Sequence, residues 1–138
     1  MLIKIIDFGY KNLPVRAHYN DAGADVYACL NEDEIWLSPH GTIKIPLGFG
    51  LEVPDGYMAC VFPRSGLSSD GLVCELPPID SGYRGEIHAI VHNGSNWPKC
   101  IKNGDKVGQL VVMPIVIAEF VPELGQNRGE QGFGSTGI

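Results

Sequence analysis

Between Thr42 and Val53 the chain reads TIKIPLGFGLEV, and its apolar residues Ile43, Ile45, Leu47, Phe49, Leu51 and Val53 fall at every second position. Successive side chains of an extended strand point to opposite faces, so this period fits a strand or strand pair with one buried face. Pro46 removes a ladder donor, and Gly48 and Gly50 weaken a flat strand, which puts the segment at a sheet edge or a bend. Shorter runs of the same kind surround it: LIKII, ADVYACL, EIWL, YMACVF and GEIHAIVH. The longest, VGQLVVMPIVIAEF from Val107 to Phe120, is almost continuously apolar and reads as a strand buried on both faces. Clusters of Gly, Pro, Asn and Asp separate these runs at short intervals, and no window carries a convincing helical stripe. The best helix candidate is one turn after Ser65. Many short strands with turn signals between them imply an all-β sandwich or barrel.

The chain has 138 residues, enough for one domain that buries roughly two-thirds of its unfolded surface. The apolar run in MLIKIIDFGY stops at Asp7, too short for a signal-peptide core or a membrane span, so a cytoplasmic protein is expected. A net charge of −6 argues against a nucleic-acid groove, which needs a basic field. With only Arg16, Arg64, Arg84 and Arg128 as arginines, any anion must be held locally. Cys29, Cys60, Cys74 and Cys100 lack metal-ligand spacing and read as reduced, mostly buried residues.

Five stretches carry chemistry. The C-terminal RGEQGFGSTGI has no apolar period, so it is either a frayed tail or a segment that packs on something else. Its GFGSTG matches G-x-G-x-x-G at Gly132, Gly134 and Gly137, yet only Ile138 follows, so the dinucleotide reading fails. No lysine precedes Ser135 and Thr136, so the Walker reading fails too. What survives is the physics: glycines let backbone N–H groups approach an anion, and a planar ring in a ligand would suit Phe133. In FPRSGL, Arg64, Ser65 and Gly66 after a β run can aim a guanidinium, a hydroxyl and free N–H groups at one point; taken alone, the stretch reads as a surface Arg with Ser65 as an ordinary N-cap. Asp80 and Tyr83 sit in a turn within PPIDSGYRGEI, where an Asp near phosphate donors could deprotonate a water. Asp25 in NDAGADVYA follows a glycine turn and could hold a hydrated divalent cation. Gln109 in GDKVGQLVV is a polar residue inside an apolar strand.

In order and content these stretches resemble the five motifs of the trimeric deoxyuridine triphosphatase (dUTPase) family: DAGADVYA, PRSGL, IDSGYRGEI, GDKVGQLVV and RGEQGFGSTG, spanning residues 21 to 137. The resemblance implies a jelly roll or distorted β-barrel over residues 1–124 and a mobile Gly-rich lid over 125–138. It implies a homotrimer with active sites shared between subunits, and the apolar surface of Val107 to Phe120 agrees, since subunit contact would cover it. The implied reaction is Mg²⁺-assisted hydrolysis of dUTP to dUMP and pyrophosphate, which keeps uracil out of DNA and supplies dUMP for thymidylate synthesis. By resemblance, Asp80 activates the attacking water, and Tyr83 lies under the deoxyribose and excludes a 2′-hydroxyl. Arg64, Ser65, Gly66 and Gln109 hold the phosphates, Ile79 lies in the base-reading hairpin, and Asp25 contacts the water shell of the metal. Phe133 and Gly134 would close on the uracil, with Arg128, Ser135 and Thr136 toward the γ-phosphate. The third motif departs from the family pattern: Cys74 stands where an Asn is usual and Pro77 where a Gly is, and Pro77 with Pro78 removes two N–H donors near the base. Two other readings stay open, a dCTP deaminase of the same fold and a dUTP-gated protein that signals to a regulatory partner.

Overall fold

The computed structural model describes residues 1–123. Ten strands and one helical turn lie among them: β1 (Ile5–Asp7), β2 (Ala24–Tyr27), β3 (Glu34–Leu37), β4 (Thr42–Pro46), β5 (Phe49–Leu51), β6 (Tyr57–Phe62), α1 (Ser65–Ser69), β7 (Leu72–Glu75), β8 (His88–Asn93), β9 (Lys99–Lys102) and β10 (Lys106–Pro114). All pairings are antiparallel. They form the ladders β1–β5, β2–β10–β6, β3–β9 and β4–β8–β7, short sheets wrapped around one core in a jelly roll.

The alternating segment behaves as its period dictates. Ile45, Leu47, Phe49, Leu51 and Val53 are all buried, but the ladder partner changes halfway: β4 pairs with β8 and β5 with β1. The change of partner occurs at Gly48, whose φ of +82° favours glycine. A Cβ there would also meet the Tyr10 Cα at 2.7 Å and the Cys29 Sγ at 2.8 Å. On the inner face these residues join Val26, Leu37, Ala59, Val91, Ile101 and Val107 in one cluster. Each fully buried Leu, Ile or Phe contributes about 1.5–3 kcal/mol to holding the ladders together.

One polar residue sits in this interior. Asn93 is fully buried, and its amide donates to the carbonyls of Leu37 (3.2 Å), Ser38 (3.3 Å) and Trp97 (2.8 Å). Its Oδ1 accepts the N–H and hydroxyl of Ser95, at 3.0 and 2.7 Å. One side chain thus satisfies loose carbonyls at the end of β3 and in the loop before β9. Of the cysteines, Cys60 and Cys74 are buried and Cys29 and Cys100 partly so, all as free thiols. Burial pushes the Cys60 and Cys74 thiols up, so both stay protonated at neutral pH.

The apolar run from Val107 to Phe120 departs from expectation. β10 ends at Pro114, and the chain beyond it, from Ile115 (40% exposed) through Val116 (88%) to Phe120 (93%), lies open to solvent. The ladder stops because Pro114 pairs with Tyr57, the first residue of β6, after which no strand remains to pair with. Continuous hydrophobicity here marks surface left uncovered by this chain rather than a doubly buried strand.

Candidate functional site

The turn that carries Asp80 is pinned from both sides. Ile79 exchanges two hydrogen bonds with Ala59 of β6, donating at 2.7 Å and accepting at 3.1 Å, although it lies outside any strand. The Tyr83 N–H then donates to the Asp80 carbonyl at 3.1 Å, closing the turn. Arg84 braces it with a guanidinium bond to the Ser81 carbonyl (2.6 Å), and the Ser81 hydroxyl donates to Asp55 (2.9 Å). None of these bonds uses the Asp80 carboxylate, which is exposed and lacks a partner among the described residues.

Tyr83 folds back over the next residues, and its hydroxyl donates to the Glu86 carbonyl at 2.8 Å. Gly85 makes this possible: a Cβ there would lie 2.6 Å from the Tyr83 Cζ. Glu86 in turn accepts the Gly48 N–H at 2.9 Å, so the ring is anchored on the same bend that splits the alternating segment. Tyr83 as a whole stays 45% exposed. Asp80 and Tyr83 line a cavity of about 230 Å³, together with Pro77, Pro78 and Ile79 and residues of β4, β7 and β8.

The remaining candidates gather on the β2–β10–β6 sheet. Gln109 of β10 lies opposite Asp25 of β2 on one side and Phe62 of β6 on the other. Its side chain rests on Gly23, where a Cβ would meet the Gln109 Cβ at 2.8 Å; this explains the glycine in DAGAD. One Asp25 oxygen pairs with the Lys106 ammonium at 3.4 Å. Asp25, Gln109, Gly23, Asp21, Ala22 and Ala17 line a second cavity, of about 360 Å³.

Two residues past Phe62, Arg64 is the N-cap of α1 and caps it with its backbone alone; its carbonyl accepts the N–H groups of Leu67 and Ser68. Ser65 is therefore the first helical residue and not the cap. Its N–H and that of Gly66 have no backbone partner, as the first turn of a helix requires. The Arg64 guanidinium curls over Gly66, with Nη1 3.0 Å from where a Cβ would stand, and makes no hydrogen bond among the described residues.

Sequence reading thus named the residues of two clusters, and the fold keeps the clusters apart. Asp25 and Gln109 share one cavity, Ile79, Asp80 and Tyr83 share the other, and the two have no lining residue in common. Arg64, Ser65 and Gly66 follow directly from the strand that faces Gln109. Arg128, Phe133, Gly134, Ser135 and Thr136 lie outside the described residues. Sequence reading missed Lys106 as the partner of Asp25, and Lys44, Glu75 and His88 in the cavity of Asp80. Lys106 was within reach, three residues before Gln109. Register across distant strands supplies the others. Among the described residues no group of three or more His, Cys, Asp or Glu could hold a metal ion, and no helix is long and apolar enough to cross a membrane.

A family model described as dUTPase matches residues 9–137. The chain is 43% identical to the deoxyuridine 5′-triphosphate nucleotidohydrolase of Leifsonia xyli subsp. xyli, over 92% of this chain and 86% of that one. It is 40% identical to the protein of the same name from Ehrlichia canis, over 100% and 96%. Among solved structures it resembles a mutant of the Staphylococcus bacteriophage 80alpha dUTPase with dUpNHpp, at a TM-score of 0.84 and 25% identity over 99% of both chains. It also resembles a mutant dUTPase from phage phi11 of S. aureus in which the coordination of a structural Mg(II) ion is described, at a TM-score of 0.74 and 26% identity over 93% and 97%.

Proposed function

The chain belongs to the dUTPase family, and from that premise we propose that it hydrolyses dUTP to dUMP and pyrophosphate at a site assembled from several copies of itself. The observation that carries the proposal is the division of the site. An unpartnered carboxylate and a part-exposed tyrosine line one cavity, while Arg64, Ser65 and Gly66, the groups suited to phosphate, follow the strand beside Gln109. Neither cavity is lined by that guanidinium or by those helix-terminal N–H groups, so the Asp80 carboxylate and these phosphate donors lie in different places on one chain.

In the proposed reaction Asp80 accepts a proton from the water that attacks the α-phosphorus. A general base is worth about 10²–10⁴-fold in rate. Arg64, the Ser65 hydroxyl and the free N–H groups of Ser65 and Gly66 hold phosphate oxygens, with Gln109 beside them. Arg128, Phe133, Gly134, Ser135 and Thr136 are assigned to closing over the nucleotide. Mg²⁺ suits this arrangement as a companion of the triphosphate. The ion keeps several waters and binds through one or two carboxylates plus phosphates, and Asp25 has a second oxygen beyond the one paired with Lys106. Asp25 would hold that water shell, and the ion would neutralise charge on the phosphates.

Sugar selection follows from the anchored ring. Tyr83 cannot retreat while Gly85 and the Glu86 carbonyl fix it, so its face excludes a 2′-hydroxyl rather than bonding to one. Tyr83→Ala narrows the ratio of kcat/KM for dUTP over UTP. An unchanged ratio would place the ribose elsewhere.

Trimeric assembly is the remaining part of the reading. The exposed apolar segment 115–121 is larger than a soluble monomer ordinarily leaves uncovered. Light scattering at micromolar concentration should give three times the 14.9 kDa chain mass; a monomer would remove the shared site. The activity itself is tested by pyrophosphate release from each dNTP and UTP, with Mg²⁺ or with EDTA. Release from dUTP alone supports the proposal, and ammonia in place of pyrophosphate would turn it into a deaminase.

A further inference from the structure

The turn that carries Asp80 is held at its two ends and open at its tip. On the incoming side Ile79 pairs with Ala59 of β6. On the outgoing side the Tyr83 hydroxyl donates to the Glu86 carbonyl, and Ile87 bonds to Leu47 and Phe49 through its carbonyl and N–H. Bonds inside the turn, from the Tyr83 N–H to the Asp80 carbonyl and from Arg84 to the Ser81 and Tyr83 carbonyls, close it on itself. They do not set its angle to the sheet. A loop held at two ends can still swing about the line that joins them. The tip here is Ser81–Gly82, and a Cβ on Gly82 would meet nothing within 4 Å.

The antiparallel bridge of Ile79 to Ala59 puts Ser81 level with Tyr57. A ladder bond does not form there, because the Tyr57 N–H is donated to the Pro54 carbonyl at 3.2 Å. The Ser81 hydroxyl takes its place and donates to Asp55 Oδ1 at 2.9 Å. Among the described residues this is the one hydrogen bond that reaches the tip from outside the turn. Its anchor is firm. Residues 54–57 form a turn closed by the Tyr57–Pro54 bond, with Gly56 at a φ of +85°, and the Gly56 carbonyl accepts the Ile115 N–H at 2.9 Å. None of these bonds uses the Asp55 carboxylate, which is left to hold Ser81.

We propose that Asp55 is a positioning residue for the reaction: through Ser81 it fixes the swing of the turn, and with it the distance from the Asp80 carboxylate to the water that carboxylate deprotonates. This rests on the reading of Asp80 as the general base and adds to it the residue that aims the base. Proton transfer needs the base within about 2.6–3.2 Å of the atom that gives up the proton. A misplacement of about 1 Å by a change far from the chemistry costs up to about 10²-fold. The Asp80 carboxylate has no partner of its own among the described residues, so its aim is that of the turn.

A role through Asp80 leaves a signature that mere support of the fold does not. Asp55→Ala, Asp55→Asn and Ser81→Ala are made in the full-length protein, and Asp55→Ala is also combined with Ser81→Ala and with Asp80→Asn. Asp55 is exposed, Ser81 is half-buried and neither belongs to the core, so the melting temperature should hold. Asp55→Ala is expected to slow single-turnover pyrophosphate release from dUTP about 10-fold, the worth of a hydrogen bond to a charged group. Affinity for a non-hydrolysable dUTP analogue stays put. Ser81→Ala gives the same loss and the pair together no more, because both remove one bond. Asp55→Asn keeps an acceptor oxygen and most of the rate. On Asp80→Asn the Asp55→Ala change slows the residual reaction no further, since no base is left to aim. A rate unmoved by Asp55→Ala and Ser81→Ala overturns the inference while leaving dUTP hydrolysis standing. An equal loss on Asp80→Asn, or a parallel loss of analogue affinity, also overturns it, because Asp55 then acts elsewhere. Failure of the unmodified protein to release pyrophosphate from dUTP removes the functional reading and this one with it.

Discussion

Asp80→Asn binds dUTP as well as the unmodified protein does and hydrolyses it about 10²–10⁴-fold more slowly. The turn that holds residue 80 is fixed by the Ile79–Ala59 pair, the Tyr83 N–H and the Ser81–Asp55 bond, none of which involves the carboxylate. An amide of the same shape therefore stands in the same place. It can still hold a water, but it cannot take the proton. Equilibrium binding of a non-hydrolysable dUTP analogue should be unchanged while single-turnover pyrophosphate release collapses. Near-normal turnover would show that another group is the base. Loss of binding would mean that the carboxylate has a structural role the turn does not reveal.

Ending the chain after Gly125 is expected to cost as much activity without touching the fold. Among the described residues every buried core residue lies at or before Leu110 and the last strand ends at Pro114, so melting temperature and assembly should hold. What is lost is Arg128, Phe133 and the Gly-Ser-Thr run, which supply donors and a ring but no periodic apolar face. A single donor aimed at developing charge is commonly worth about 10²–10³ in kcat. The shortened protein should bind dUMP nearly normally and hydrolyse dUTP at least that much more slowly. Full activity would assign the segment no part in the reaction.

Much of this was legible along the chain because it is local. The period of two from Thr42 to Val53 placed Ile45, Leu47, Phe49, Leu51 and Val53 in the core, and Pro46 with Gly48 marked where the ladder changes partner. The single helical turn expected after Ser65 was readable too, although it begins at Ser65 itself with Arg64 as its N-cap. Hydrophobicity misled at Val107 to Phe120, because it reports that a residue must be covered and not which molecule covers it. The candidate residues announced themselves through types and spacing within short stretches. Their supports did not. That Gly85 is the space Tyr83 folds into, that Gly23 is the space Gln109 rests in, and that Lys44 and Glu75 flank one isoleucine all depend on contacts or cross-strand register. No periodicity encodes those, since pairing between segments 15 to 46 residues apart is settled by the whole core at once.

The site proposed above to be shared between copies has a further consequence for how such a protein works in a dilute cell. When the parts of a site come from different copies, catalytic capacity is a property of encounters and not of chains. Below the concentration at which copies associate, halving the amount of protein removes more than half of the working sites. Output then falls away steeply with scarcity and rises steeply with supply. A single-chain enzyme with the same chemistry would show only simple proportion.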